Sequence, residues 1–267
     1  MPLISTNLDK LNFAKLYKKQ IKNSTFKSKS NEDWDKKAQY FSENVLNSPY
    51  TKDFTDRVDL EGCETLLDVG SGPATISLAL APKLKNVYAL DYSKEMLKHA
   101  NINAEKRGIK NLTTINKSWY DDWEDVPKVD IVVASRSMEV KNIKKALIKL
   151  NNQANKRVYL TTKVGGSFID KDILNQIKRE VIPRPDYIYV VNTLHSMRIF
   201  AKVDFIKTNT ARYDCESEDE FIESLRWSLG NLFIEEEKSL REYFNTTYKN
   251  KKNKECTTWA FISWEVK

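Results

Sequence analysis

The stretch that decides the fold runs Leu66-Leu67-Asp68-Val69-Gly70-Ser71-Gly72-Pro73-Ala74-Thr75. It begins as an apolar strand that contains one acid, passes through a Gly-x-Gly turn and continues into a helical pattern. Glycine permits a positive φ and lets a ligand approach the backbone closely, and the first turn of a helix offers free N–H groups. The stretch therefore predicts a ligand site at the carboxyl end of a strand.

Strand patterns alternate with helical patterns on both sides of this stretch. Candidate strands cover residues 64–69, 86–91, 112–116, 129–134, 156–162, 202–207 and 257–265. Helical patterns cover residues 75–84, 93–107 and 141–154, with a short segment near 120–126. This alternation predicts an α/β fold with a doubly wound, mostly parallel, seven-stranded sheet.

Helical segments flank this sheet pattern. Residues 7–48 read as helices interrupted at 24–31, and residues 217–248 form a long charged amphipathic stretch. Residues 186–200 mix strand and helix signals, and their three-to-four spacing favours a helix. We expect residues 1–55 to be an N-terminal helical cover segment and residues 56–267 to be the main domain. Residues 170–200 are then a helical insertion before the sixth strand that acts as a substrate lid.

The second strand ends on an acid, Asp91, nineteen residues past Gly72. A carboxylate there suits a ribose diol, because it accepts two hydroxyl hydrogen bonds. A dinucleotide would need a third glycine where Thr75 stands. Asp68 would repel a pyrophosphate but could support an ammonium group. The pattern therefore favours a ligand with an adenosine end and an amino-acid end over NAD.

Residues 66–81 (LLDVGSGPATISLALA) and 87–97 (VYALDYSKEML) resemble the first two motifs of class I S-adenosylmethionine-dependent methyltransferases. The general look is similar to the small-molecule group that includes ubiquinone-type and biotin-synthesis enzymes. Ala74 stands where that family often has a third glycine. The resemblance implies a Rossmann-like methyltransferase fold, S-adenosylmethionine as cofactor and S-adenosylhomocysteine as product. The cofactor-binding residues that it implies are Asp68, Gly70, Ser71, Gly72, Asp91, Tyr92, Met96, Ser118, Trp119 and Ser135.

The acceptor site of such an enzyme is expected where the fourth strand ends, at residues 134–139. This segment lacks the Asp/Asn-Pro-Pro-aromatic and Pro-Cys motifs of nucleic-acid methyltransferases. Arg136 could hold a carboxylate or phosphate bidentately, and His195 could act as a base, so these two residues are the predicted catalytic residues. We therefore expect methylation of a small molecule or a carrier-bound acyl group, including a malonyl-carrier-like carboxylate, which would suit biotin synthesis.

The charge distribution leaves alternatives open. The net charge is +7, and residues 1–30 hold seven lysines against Asp9. This segment could contact RNA or an acidic carrier protein, so an RNA or protein methyltransferase and a non-catalytic cofactor-binding protein both stay open. Three dispersed cysteines and two distant histidines predict no metal site. The absence of a long apolar run or a secretion signal predicts a cytoplasmic protein without a membrane segment, and the oligomeric state stays open.

Overall fold

A computed structural model describes residues 10–45, 48–211, 215–251 and 256–266. A seven-stranded sheet with the strand order β3-β2-β1-β4-β5-β7-β6 forms its centre. The strands are β1 (Thr65–Val69), β2 (Asn86–Asp91), β3 (Leu112–Asn116), β4 (Val129–Ala134), β5 (Ala154–Lys163), β6 (Lys202–Ala211) and β7 (Cys256–Glu265). Strands β1 to β5 pair in parallel, whereas β7 runs antiparallel to both β5 and β6. The predicted, mostly parallel sheet is confirmed.

Helices lie on both faces of this sheet. The helices are α1 (Phe13–Asn23), α2 (Asn31–Asp35), α3 (Ala38–Val45), α4 (Pro49–Thr55), α5 (Thr75–Leu80), α6 (Lys94–Lys106), α7 (Ile143–Gln153), α8 (Lys171–Leu174), α9 (Tyr187–Ser196), α10 (Glu218–Leu229) and α11 (Ile234–Thr246). Short 3₁₀ turns follow at Ala81–Lys83 and Tyr248–Asn250.

The core is divided by the sheet because successive strand residues point to opposite faces. Leu67 and Val132 pack with α1, α7 and α9 on one face. Leu66 and Val133 pack with α4 and α5 on the other face. Both sets are fully buried, which explains why these strands are apolar apart from Asp68 and Asp130 and do not alternate between apolar and polar residues. This arrangement brings the carboxyl ends of β1, β2 and β4 to one edge of the sheet.

A second hydrophobic cluster lies apart from the sheet. Apolar residues of α10 and α11 pack against residues 168–181 and against Phe26. We call α10, α11 and residues 167–182 the helical cap. Gly230 (φ +77°) ends α10 and separates it from α11, so the charged stretch at 217–248 consists of two helices.

Two local expectations need correction or refinement. The short helix predicted near 120–126 is wrong, because residues 117–128 form turns and irregular structure. Here Asp121 accepts a hydrogen bond from the Ser118 N–H and Trp123 donates to the Ser118 carbonyl, and these bonds replace helical ones. Residues 170–200 contain only the one-turn α8 and the predicted helix α9, with irregular chain between them. The division into a cover segment, a main domain and a lid stays a prediction.

Candidate active site

The turn after β1 is locked to its neighbours on both sides. The backbone N–H groups of Gly70 and Ser71 donate to the Leu90 carbonyl on β2 at 2.8 and 3.1 Å. Ser137, beyond β4, donates its hydroxyl to the Val69 carbonyl at 2.6 Å. Gly70 has φ +66°, and a Cβ built on it would lie 2.4 Å from the Ser137 Cβ. Only glycine fits both the conformation and the close approach at this position.

Ala74, where the related family often has glycine, adopts the left-handed conformation with φ +61° immediately before α5. A left-handed alanine costs roughly 1 kcal/mol because its Cβ crowds the carbonyl oxygen. The chain therefore keeps the backbone path of the glycine-rich turn with a less permissive residue.

Two buried carboxyl groups, Asp68 and Asp91, flank the turn, with 1% and 6% of their surface exposed. Asp68 accepts a hydrogen bond from the Ser77 hydroxyl at 2.8 Å. Asp91 accepts from the N–H groups of Gly72 and Ser93 at 2.8 and 2.9 Å. Burial raises the pKa of Asp68 to about 7. Burial also raises the pKa of Asp91, against the lowering effect of its N–H donors.

The charges of Asp68 and Asp91 can be compared with those of the expected cofactor. Among the residues that the structure describes, no lysine, arginine or histidine forms a salt bridge with Asp68 or Asp91. Buried carboxylates without a cation are costly, and a cationic ligand would offset this cost. S-Adenosylmethionine carries an ammonium and a sulfonium group together with ribose hydroxyls. The site therefore fits this cofactor in both charge and hydrogen-bonding capacity.

The predicted adenine-side residues lie at the same edge of the sheet. Tyr92 directly follows Asp91, and its hydroxyl is 3.5 Å from the Ser30 carbonyl. Met96 is buried in the first turn of α6, and its Sδ lies 3.8 Å from the position of a Cβ on Gly72. Trp119 donates its indole N–H to the Ser137 carbonyl at 3.2 Å. Ser118 forms the start of the turn after β3, where its backbone N–H donates to Asp121.

The cover over this edge comes from α2 and the helical cap. Ser30 and Asp33 form a capping box that starts α2. Asp35, at the end of α2, accepts a hydrogen bond from the Ser93 hydroxyl at 2.5 Å. Trp34 packs edge-on against Trp227 of α10, with ring centroids 5.5 Å apart. Trp34 lies within residues 1–55, which the sequence predicted as a cover segment, but no sequence signal indicated that α10 supplies the partner ring.

Arg136 lies at the carboxyl end of β4 and is held there by residues that sequence reasoning missed. Its φ is +56°, and its N–H donates to the Thr161 hydroxyl at 3.0 Å. The Tyr50 hydroxyl is hydrogen-bonded to Thr161 at 2.6 Å and to Ser135 at 2.9 Å. The guanidinium carbon lies 4.2 Å from the centre of the Tyr50 ring. Among the described residues no carboxylate forms a salt bridge with Arg136, which is exposed.

Further cations lie near Glu139, in the segment 135–140 that follows β4. Arg184 is buried, and it donates to the Phe26 carbonyl and the Ser28 hydroxyl at 2.8 and 3.1 Å. Its Nε lies 3.6 Å from Glu139. Lys29 donates to the Trp227 carbonyl and lies 4.7 Å above the Trp227 ring. Burial lowers the pKa of Lys29 to about 8, partly opposed by Glu139. Two further basic groups therefore lie near Glu139, three residues beyond Arg136.

His195 lies apart from the other predicted residues. Asp186, just before α9, accepts a hydrogen bond from Gly165 beyond β5. His195 is nine residues further along, about 13 Å away at the helical rise. Its exposed ring contacts Phe200, and no contact to Asp68, Asp91 or Arg136 is found in the described residues. The structure does not bring His195 to the site, and its catalytic role stays a prediction.

Neither a metal cluster nor a membrane span is found in the described residues. No group of three or more His, Cys, Asp or Glu side chains is placed to hold an ion. None of the described helices combines the length and apolar character that crossing a bilayer requires.

Comparisons with known proteins agree with this geometry. A family model described as a methyltransferase domain matches residues 61–182. An uncharacterised protein of Haemophilus influenzae is 35% identical over 260 residues, covering 96% of this chain and 97% of its own length. An uncharacterised RNA methyltransferase of Lactiplantibacillus plantarum is 40% identical over 60 residues, which cover 22% of this chain and 13% of that protein.

The fold is also found in a solved structure, the YcgJ protein of Bacillus subtilis. The TM-score is 0.58 at 13% sequence identity, and the match covers 82% of this chain and 98% of that one. The matched family model covers strands β1 to β5, the glycine turn and both buried acids of the site described above. The chain therefore contains a methyltransferase domain of the class I S-adenosylmethionine-dependent type, and S-adenosylmethionine is its cofactor.

Proposed function

We propose that this methyltransferase acts on a carboxylate, carried either by a small molecule or by an acyl group on a carrier protein. The observation that carries the proposal is Arg136. This arginine lies at the end of β4, is exposed, and has no salt-bridge partner among the described residues. A guanidinium presents a planar pair of donors that matches a carboxylate.

We also propose a role for each residue in the cofactor half of the site. Asp91 would accept the ribose hydroxyls, and Asp68 would face the amino-acid end. Tyr92, Met96, Ser118 and Trp119 would surround the adenine. The turn of Gly70, Ser71 and Gly72 would lie along the ligand, with Ser135 beside it. The family resemblance implies these roles, and the positions of the residues at one edge of the sheet support them.

The reaction requires no proton transfer to or from a side chain of the protein. When bound, S-adenosylmethionine supplies an electrophilic methyl group on a sulfonium. A carboxylate oxygen donates its electron pair to the methyl carbon, so a C–O bond forms while the C–S bond breaks and sulfur keeps its electrons. The products are a methyl ester and S-adenosylhomocysteine. Because a carboxylate is already ionised at neutral pH, no general base is required.

Arg136 would then orient the acceptor rather than move a proton. Its left-handed backbone and the face of Tyr50 restrict the guanidinium. A restricted donor pair loses less entropy when it binds an anion. The helical cap and α2 would exclude water from the reacting groups.

Transfer of a labelled methyl group to a panel of mono- and dicarboxylates and to malonyl-loaded carrier protein tests the proposal. We expect Arg136→Ala to raise the acceptor KM by at least tenfold, since a charge-assisted hydrogen bond contributes about 1.5–3 kcal/mol. The affinity for S-adenosylmethionine, measured by calorimetry, should not change. The acceptor KM of Arg136→Lys should lie between those of the unaltered enzyme and Arg136→Ala, because lysine keeps the charge but loses the paired donors of the guanidinium.

Arg198 offers a matched control. It is also exposed and left-handed, with φ +62°, but it follows α9 near His195. Arg198→Ala should leave both measurements unchanged. The proposal is wrong if Arg136→Ala transfers methyl groups to carboxylates as fast as the unaltered enzyme, or if the methylated product is an amine, a thiol or a nucleic-acid base.

A further inference from the structure

Two neighbouring helices carry lysines and no acids. Helix α1 has the sequence FAKLYKKQIKN and α7 has IKKALIKLNNQ, and neither contains Asp or Glu. Their exposed lysines are Lys15, Lys18, Lys19, Lys22, Lys144 and Lys145, which we call the lysine face. Both helices pack their apolar sides against the same face of the sheet and contact each other. The lysine face therefore points to solvent from one side of the molecule.

The lysine face lacks internal neutralisation. None of its six members forms a salt bridge with a described carboxylate, whereas some exposed lysines elsewhere do, as Lys52 does with Asp56 and Lys98 with Glu95. On α1 the lysines are three and four residues apart, the spacing at which like charges destabilise a helix. An arrangement that repels itself in the free protein is stabilised by an anionic partner.

This surface borders the acceptor end of the site. Tyr17, on the buried side of α1, donates its hydroxyl to the Met138 carbonyl at 3.0 Å. Met138 lies two residues beyond Arg136, and α7 starts five residues after Met138. A partner that covers the lysine face would therefore lie beside the chain segment that carries Arg136, whose guanidinium packs on Tyr50 at the opposite face of the sheet.

The apolar side chains between the lysines favour a protein partner. Leu11, Leu16 and Ile148 are 48%, 39% and 38% exposed. Aliphatic groups interleaved with lysine suit an acidic amphipathic helix, which offers carboxylates and a hydrophobic stripe. Single-stranded nucleic acids are held by aromatic stacking and arginine, and α1 and α7 carry no arginine and no exposed aromatic residue.

We propose that the lysine face docks an acidic helical carrier protein that presents the acyl acceptor, an inference that rests on the proposed function. The probe is purified acyl carrier protein loaded with malonate. The variant is Lys15→Glu/Lys18→Glu/Lys19→Glu. The matched control reverses three exposed lysines on the opposite part of the molecule, Lys83→Glu/Lys106→Glu/Lys110→Glu, which also form no described salt bridge.

Two acceptors separate docking from chemistry. With the carrier-bound acceptor, the α1 variant should raise KM at least tenfold with kcat unchanged, and the control variant should change KM less than twofold. With the malonyl thioester of N-acetylcysteamine, which has no protein part, both variants should match the unaltered enzyme. Raising the salt concentration should weaken carrier binding in the unaltered enzyme and much less in the α1 variant. Glutamine at the same three positions should give a smaller loss, which excludes a folding defect as the cause.

The opposing results are distinct. Equal KM values for both triple variants with the carrier would overturn the docking inference and leave the proposed function standing. Tighter binding of an RNA duplex or of phosphatidylglycerol vesicles than of the carrier, abolished in the α1 variant, would also overturn it. Failure to methylate either malonyl acceptor would count against the proposed function, and the docking inference would fall with it.

Discussion

The buried carboxyl group of Asp68 makes cofactor affinity depend on pH in a range where an ordinary aspartate does not titrate. Burial raises the pKa of Asp68 to about 7 from an ordinary value of 3.8. A cationic ligand favours the ionised form, so binding releases a proton below pH 7 and weakens as the pH falls. The ionised fraction is about three quarters at pH 7.5 and about one tenth at pH 6.0. Affinity for S-adenosylmethionine should therefore fall about eightfold between these values.

Calorimetric titration at pH 7.5, 7.0, 6.5 and 6.0 in a constant ionic strength measures this dependence. The upper limit is set at 7.5 because the amino group of the ligand itself titrates near pH 8. Asp91 also has a raised pKa, and its ionisation acts in the same direction. The eightfold change is thus the part that Asp68 contributes, and Asp68→Asn should remove it.

A variant of Ser77 should shift the pH dependence of cofactor affinity along the pH axis, whereas Asp68→Asn should remove it. Its hydroxyl donates to Asp68 and lowers the pKa of that carboxyl against the effect of burial. In Ser77→Ala the pKa should rise further, so the loss of affinity should begin at a higher pH. A constant affinity from pH 7.5 to 6.0 in the unaltered protein, or an unchanged slope in Asp68→Asn, would refute the assignment of the titration to Asp68.

Three further predictions concern the turn, the ribose site and the helical cap. Gly70→Ala should destabilise the protein by about 1 kcal/mol more in chemical denaturation than Gly108→Ala, because the two glycines share the same φ but only the first would clash with Ser137. Asp91→Asn should weaken cofactor binding in calorimetry by about 1.5–3 kcal/mol while the melting temperature changes little. Glu236→Ala should lower stability to denaturant by about 2 kcal/mol, less than for a fully buried ion pair because its arginine partner is partly exposed, and a change within 0.5 kcal/mol would contradict this.

The strands could be predicted because each is a local pattern. All seven candidate strands overlap observed ones, since runs such as Leu66–Val69 and Val129–Ala134 are buried on both faces and are apolar except for one aspartate each. The segment near 120–126 misled the sequence analysis for a physical reason. Asp121 accepts from the Ser118 backbone and closes a turn, and such side-chain acceptors compete with helical hydrogen bonds.

The two halves of the site differ in how much the sequence reveals. Asp68, Gly70 and Gly72 lie within five residues, and Asp91 follows at a spacing set by one helix and one strand. The cofactor half of the site therefore comes from a single βαβ unit, which a local sequence pattern can reveal. Tyr50 and Thr161 lie 111 residues apart, and their hydrogen bond depends on the complete sheet. No local pattern marks such a contact.

His195 illustrates the limit of inference from residue type. A histidine on a helix before β6 is a reasonable base by chemistry, but only the direction of that helix decides which end of the sheet it reaches. Helix α9 starts where Asp186 contacts Gly165 and runs away from it. Arg136 was predicted because it lies just beyond the end of a strand, at the expected acceptor end of the sheet, and strand ends are the positions that topology fixes most firmly.

The charges in the site separate the two substrates by sign. Asp68 and Asp91 place two buried carboxyl groups beside the turn, while Arg136, Lys29 and Arg184 place cations near residues 135–140. A cationic cofactor in the basic part, or a carboxylate in the acidic part, would meet like charge in a region of low dielectric, where repulsion is strong. On the proposed function, each substrate is thus directed to its own side before any specific contact forms. In-line transfer needs the acceptor oxygen and the methyl carbon to meet from opposite directions, and this separation of charge favours that approach.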